Sequence, residues 1–255
     1  MKITSNFSIV AVVIVLIFIL CALRLHFRIF DSKESMTNVS SYKDPKVILL
    51  GDSILNNTSY VPSGESVISY LRQSYQKDLY VYAQDGASIN DVYRQLDDYL
   101  DSDLEDKGTH VVISVGGNNI LNALRTNSLN DEMIDRFVNQ YIKMIEHISV
   151  KFPSIHAHVL NIYYPEEEVY KKIAKYIKRW NDSIKAFVLG FNEKDEEQNK
   201  YKGKNKNKGR TLKIDIIRID GLLTKDEDFS HEIEPSAEGG RKIADAIIDR
   251  IDNDV

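Results

Sequence analysis

Four consecutive apolar residues, Val47 to Leu50, break abruptly into Gly51-Asp52-Ser53, and comparable apolar runs recur at 79–83, 111–115, 158–163 and 212–219. A short unbroken apolar run bounded by turn residues reads as a strand buried on both faces. The intervening segments change period. Val92, Leu96 and Leu100 form one helical stripe; Ile134, Phe137, Val138, Tyr141, Ile142, Ile145 and Ile148 form a second, opened by Asn130 as N-cap. Pro165 opens a long third helix with a stripe from Val169 through Ile173, Ile177, Trp180, Ile184 and Phe187 to Phe191, and Ser236 caps a last one carrying Ile243, Ala244, Ile247, Ile248 and Ile251. Five strands alternating with helices predict an α/β fold: a five-stranded parallel sheet, covered on both faces and joined by right-handed crossovers. With 255 residues, 43% of them hydrophobic, the chain buries one core and requires no second domain.

Three segments stand apart from this alternation. Residues 1–6 are a short flank to residues 7–23, FSIVAVVIVLIFILCAL, an apolar run long enough to cross a bilayer and longer than a signal-peptide core. We read it as a single-pass transmembrane anchor, with a cleaved signal peptide as the alternative. Positive charge is denser after it, at Arg24, His26 and Arg28, which by the positive-inside tendency leaves the domain cytoplasmic. The charge tendency alone does not fix the side, so the side of the membrane stays open. Residues 24–45 read as a polar linker, 46–255 as the folded domain, and 192–210 within it, rich in Lys and Asn, as a disordered insertion. Asn38, Asn56, Asn57 and Asn181 begin glycosylation sequons, which matter only in a secretory lumen. The net charge of -5 gives no support to a nucleic-acid partner. The one cysteine, Cys21, lies in the apolar run, so the folded part builds neither an internal disulfide nor a cysteine-based zinc site.

The chemistry gathers where strands end. Ser53 follows the first strand, where open α/β sheets place their sites, and its own N–H is positioned to help hold an oxyanion. The loop after the second strand offers the Gly86 N–H, and Gly116-Gly117-Asn118-Asn119 after the third offers the Asn118 amide. Before the last helix, Asp228-Phe229-Ser230-His231 supplies an imidazole as general base with a carboxylate three residues earlier to orient it. The other histidines are poorer candidates: His26 adjoins the apolar run, His110 precedes a strand, His147 lies within a helix, and His156 and His158 lead into strand four.

Taken in order, Gly51-Asp52-Ser53-Ile54, Gly86, Gly116-Gly117-Asn118-Asn119 and Asp228-Phe229-Ser230-His231 resemble the four blocks of the SGNH family, the GDSL-type lipases and esterases. The resemblance implies a three-layer α/β/α sandwich resembling flavodoxin. It implies hydrolysis of a carboxylic ester or thioester through an acyl-serine: Ser53 as nucleophile, His231 as base, Asp228 as orienting acid, and an oxyanion hole of Ser53, Gly86 and Asn118. No metal and no organic cofactor is implied, and the implied partner is a small-molecule, lipid or glycan ester. Two positions depart from the family pattern. Asn119 stands where Asp is usual. The Pro235-Ser236 pair that opens the last helix is preceded by Glu234, which places Glu234 in the histidine slot and His231 in the aspartate slot. Either His231 still reaches Ser53 through a longer loop, the reading we favour because Asp228 comes with it, or the triad is broken. In the second case the chain is a membrane-anchored binding or interaction protein on the same fold.

Overall fold

The computed structural model describes residues 45–98, 108–152, 155–165, 168–201 and 212–253. The apolar segment 7–23, nearly all of the linker and Leu100 lie outside them. Among the described residues no helix is long and apolar enough to cross a membrane.

The expected sheet forms. Strands β1 (Lys46–Gly51), β2 (Leu79–Val81), β3 (Thr109–Ser114), β4 (His156–Leu160) and β5 (Lys213–Ile217) are all parallel, in the order β2-β1-β3-β4-β5. Side chains alternate across the pleat, so each strand feeds two cores. Val47, Leu49, Val112, Leu160 and Ile217 face helices α1 (Val67–Tyr75) and α7 (Ala237–Asp252), meeting Leu71, Ile243 and Ile247. Ile48, Leu50, Val111, Ile113, Val159 and Ile214 face α2 (Ile89–Asp98), α4 (Asp131–Lys151) and α6 (Ala174–Tyr201), where Tyr141 and Trp180 are among the largest buried side chains. Helix α3 (Gly117–Arg125) and the single turn α5 (Glu168–Lys171) complete the helices, and β6 (Phe229–Ser230) pairs antiparallel with β7 (Glu234–Pro235).

The caps read from sequence are in place: the Asn130 side chain accepts from the Met133 N–H at 2.9 Å, and Ser236 Oγ from the Gly239 N–H at 3.1 Å. Two expectations are corrected. The long helix after Pro165 is broken into α5 and α6 by a turn at 172–173, where the Ile173 N–H bonds back to the Tyr170 carbonyl at 2.9 Å and the side chain is buried. Of the insertion expected at 192–210, residues 192–201 continue helix α6 and 202–210 lie outside the described residues. Its Glu, Lys and Gln are good helix formers, and Asn192 anchors it by bonding both the carbonyl (2.8 Å) and the N–H (3.4 Å) of Ile214 in the edge strand β5.

In the order β2-β1-β3, the chain leaves β1 toward one side of the sheet and β3 toward the other. The crevice between such connections, at the carboxyl ends of β1 and β3, is where doubly wound sheets hold ligands. Ser53 and Asn118 follow those two strands.

Candidate active site

At the end of β1 the backbone must turn hard against β3. Gly51 has φ 124°, and a β-carbon there would lie 1.7 Å from the Ser114 carbonyl oxygen, so only glycine fits. The turn is gripped from two sides. The Gln95 amide of α2 accepts from the Gly51 N–H at 2.7 Å and donates to its carbonyl at 2.9 Å, while the Asp52 N–H donates to Ser114 O at 2.9 Å. The Asp52 side chain, buried, accepts from Ser114 Oγ (2.8 Å) and the Ile54 N–H (3.2 Å). Burial nevertheless pushes its carboxyl up to about 7, with the negative charge of Glu234 adding to the shift. Asn57 then ties the serine loop to the far layer: its side chain donates to Pro235 O at 3.1 Å and accepts from the Val67 N–H at 2.8 Å, with no surface exposed. The sequon at Asn57 is therefore closed to glycosylation in the folded chain. Replacing it, Asn57→Ala, strands a buried N–H and a buried carbonyl and is expected to cost about 2 kcal/mol. Urea unfolding with an unchanged m-value checks this, and a loss within error of zero refutes the tie.

The two loops that hold the expected oxyanion donors are fastened to each other. Gly86 (φ 74°) sits in a turn closed by the Ala87 N–H on Gln84 O, and the Gln84 N–H hangs the turn from Gly51 O at 2.9 Å. From the first turn of α3, Asn118 Nδ2 donates to Ala87 O at 3.0 Å, and Asn119 Oδ1 accepts from the Ile89 N–H at 3.1 Å. Asn119 thus fastens the β2–α2 loop. Gly116, at φ 120°, lets the chain pass under Trp180, whose ring a β-carbon would meet at 2.4 Å.

The expected triad does not assemble in the loop before α7. Asp228 is wholly buried and its carboxylate is already occupied: Oδ2 accepts from the Thr224 and Lys225 N–H groups at 3.0 and 3.1 Å, and Oδ1 pairs with Lys242 Nζ at 2.5 Å. Burial alone raises such a group, but Lys242 and the two amides outweigh it and hold the carboxyl below its usual range. Asp228 therefore anchors α7 and does not orient His231. His231 and Glu232 form the tip of the β6–β7 hairpin at φ 47° and 73°. The imidazole lies edge-on to Tyr60, ring centres 5.6 Å apart, and borders a surface hollow with Glu168, Lys171, Asp226 and Glu232. The D-x-x-H spacing fails because the hairpin returns the chain by three residues, delivering Glu234 to Ser53. The Glu234 carboxylate lies beside Ser53 at the cavity both residues line, close enough for the serine side chain to favour its ionised form. Burial raises its pKa; the Ser53 side chain and His231 oppose the rise, and Asp85 adds to it. The Tyr163 hydroxyl, bonded to Ile233 O, holds the returning strand in place.

Ser53 and Glu234 open onto a cavity of about 50 Å³. Asn118 and Tyr163 border it, and its walls are apolar, built largely from Ile120, Leu121, Ile162, Ile173 and Ile177. One water-sized group needs roughly 10–15 Å³ on this measure, so the space accepts about four heavy atoms. The sequence marked Ile173 and Ile177 only as a helical stripe and Tyr163 only as a strand end; nothing in a helical period distinguishes a residue facing a cavity from one facing another side chain.

A family model described as GDSL-like Lipase/Acylhydrolase matches residues 47–247. No curated protein matches the chain by sequence. Among solved structures, a member of the lipolytic G-D-S-L family from Veillonella parvula is 17% identical, with a TM-score of 0.58 over 80% of this chain and 96% of that one. The lipase Lip_vut3 from a goat rumen metagenome is 16% identical, with a TM-score of 0.54 over 80% and 95%. An acetyl xylan esterase, AlAXEase, is 17% identical, with a TM-score of 0.51 over 80% and 98%. At these identities the likeness is one of fold.

Proposed function

Because this chain belongs to the GDSL-like lipase/acylhydrolase family, whose members hydrolyse ester bonds, we propose that it is a serine hydrolase of short-chain acyl esters in which Glu234 takes the place of the base. One observation carries the reading: Ser53 and the half-buried Glu234 carboxylate line the same apolar cavity, side by side. In the proposed reaction Ser53 Oγ attacks the ester carbonyl while Glu234 accepts its proton. The oxyanion sits against the Ser53 and Gly86 N–H groups and the second hydrogen of Asn118 Nδ2, the first being held by Ala87. Glu234 returns the proton to the leaving alkoxide, then draws one from the water that cleaves the acyl-serine. A carboxylate is a poor base toward an alcohol, and the raised pKa of Glu234 narrows that mismatch without closing it. Turnover slower than that of a serine–histidine pair follows. The size of the cavity fits an acetyl or similarly short acyl group, carried on a glycan or a lipid.

A specific feature favours a second reading, a binding protein on the same fold: the base slot holds a carboxylate. A fluorophosphonate separates the two. With the full chain we expect one phosphonyl adduct by intact mass, absent in Ser53→Ala, together with hydrolysis of p-nitrophenyl acetate. A folded wild-type chain that takes no label and turns over no ester establishes the binding reading instead. The apolar run at 7–23 is proposed to anchor the domain to a membrane, with its side left open; retention of the chain in the pellet after alkaline extraction is the expected sign.

A further inference from the structure

At the opposite edge of the sheet from Ser53, three imidazoles meet inside the fold. His110 is the second residue of β3, and His156 and His158 are the first and third of β4. The register pairs His110 with His156 and His158 with Asp215 of β5, which puts all four side chains on the face that packs against α7. The sequence reading set these histidines aside as lead-ins to strands; they lie within the strands. His110 Nδ1 is 2.8 Å from His158 Nε2, and one ligand atom from each of the three rings lies within 4.8 Å of the other two. His110 and His158 are buried, while the side chain of His156 keeps 14% of its surface exposed, which gives access from solvent.

We propose that His110, His156 and His158 form a binding site for a divalent transition metal of the zinc class. Imidazole nitrogen is the donor such ions prefer, and three neutral histidines with one open position are an established ligand set. With Zn–N bonds of about 2.0–2.1 Å, tetrahedral geometry needs nitrogens roughly 3.3 Å apart, so the rings have to shift by less than they are now separated. The surroundings fit a ligand role. Asp215 Oδ2 lies 2.7 Å from His156 Nε2, which restrains that ring and leaves Nδ1 as its ligand atom for the ion in the proposed site, a carboxylate–histidine–metal arrangement of the kind that orients ligands elsewhere. Arg250 of α7 meets Asp215 Oδ1 at 2.5 Å, and Lys213 approaches Oδ2 at 3.8 Å. Asp215 thus ties the site to β5 and to the last helix through two cationic side chains. A bound ion would clamp β3 to β4 and, through Asp215 and Arg250, to the last helix. It would sit apart from Ser53, so this site is independent of the hydrolytic reading.

The test uses the full chain without a histidine tag, stripped by chelator and titrated with Co²⁺ and then Zn²⁺. The expected result is one equivalent of Co²⁺ with visible ligand-field absorption, displaced by Zn²⁺, and a thermal midpoint that rises on loading. His158→Gln and His110→Gln should weaken Zn²⁺ binding by at least a hundredfold, and Asp215→Asn by about tenfold. His156→Gln, at the partly exposed ring, is the variant least dependent on the core; its stripped form should melt with the wild type while its affinity falls. Fluorophosphonate labelling of His156→Gln should match wild type. No stoichiometric Co²⁺ band in the wild-type chain, or binding that survives His156→Gln, overturns the site and leaves a buried histidine network only.

Discussion

Exchanging two residues, Glu234→His together with His231→Asp, should raise kcat/KM toward p-nitrophenyl acetate about a hundredfold or more. The hairpin at 229–235 already delivers residue 234 to the Ser53 hydroxyl, so an imidazole at that position inherits a place facing the nucleophile. Its ordinary pKa near 6.5 lies close to working pH, where general-base catalysis is most efficient and contributes about 10²–10⁴-fold. An aspartate at 231 supplies the orienting carboxylate three residues earlier, and Asp tolerates the φ of 47° there better than His does. Glu234→Gln alone keeps the shape but cannot accept a proton, and should lower kcat/KM about a hundredfold with KM little changed. A folded double variant no faster than wild type, or a Glu234→Gln variant at full activity, would remove Glu234 from the base position.

Stability should fall as pH rises from about 4 to 8, and Asp52→Asn should flatten that fall. The folded-state pKa of Asp52 is raised by burial from 3.8 to about 7. Between those values the native state binds the proton and the unfolded state does not, so each pH unit removes native stability. The full interval amounts to roughly 4 kcal/mol as an upper bound, at 1.36 kcal/mol per unit. An Asn Oδ1 in place can still accept from Ser114 Oγ and the Ile54 N–H, leaving the turn intact without the ionisation penalty. Urea midpoints across this range provide the measurement, and parallel curves for wild type and Asp52→Asn refute the assignment. The same two carboxyls shape the rate. Activity should climb with pH as Glu234 ionises at its raised pKa, and decline near 7 as Asp52 acquires charge beside the developing oxyanion; the two titrate as a coupled pair.

Much of this molecule was legible from residue order, and the reasons are local. The inner strands are buried on both faces, so the apolar run Val47 to Leu50 had to be sheet interior, and Asn130 and Ser236 announced helix starts through their side chains. The placement of Ser53, Gly86 and Asn118 at one edge was legible because each follows a strand, and a parallel sheet brings all such loops to one edge. The base was not. Asp228 and His231 have the spacing of an orienting pair, but spacing says nothing about competitors: Lys242, fourteen residues on, and two backbone amides claim the carboxylate first. The count back from Pro235-Ser236 was the better guide, because the N-cap of α7 fixes that end of the hairpin in space. The three histidines at the far edge escaped notice for a similar reason. Their meeting depends on the register of β3 against β4, which no single run of sequence displays.

The bonds from Asn118 to Ala87 and from Ile89 to Asn119 lash together the loops after β2 and β3. Those loops come from opposite sides of β1 and share no sequence neighbourhood, yet neither can drift without dragging the other. Gly86 and Asn118, the proposed oxyanion donors, are consequently aligned once, during folding, and would need no realignment at each encounter with an ester. In the proposed reaction the lifetime of an acyl group on Ser53 should then follow proton movement through Glu234, with no delay for a loop to close.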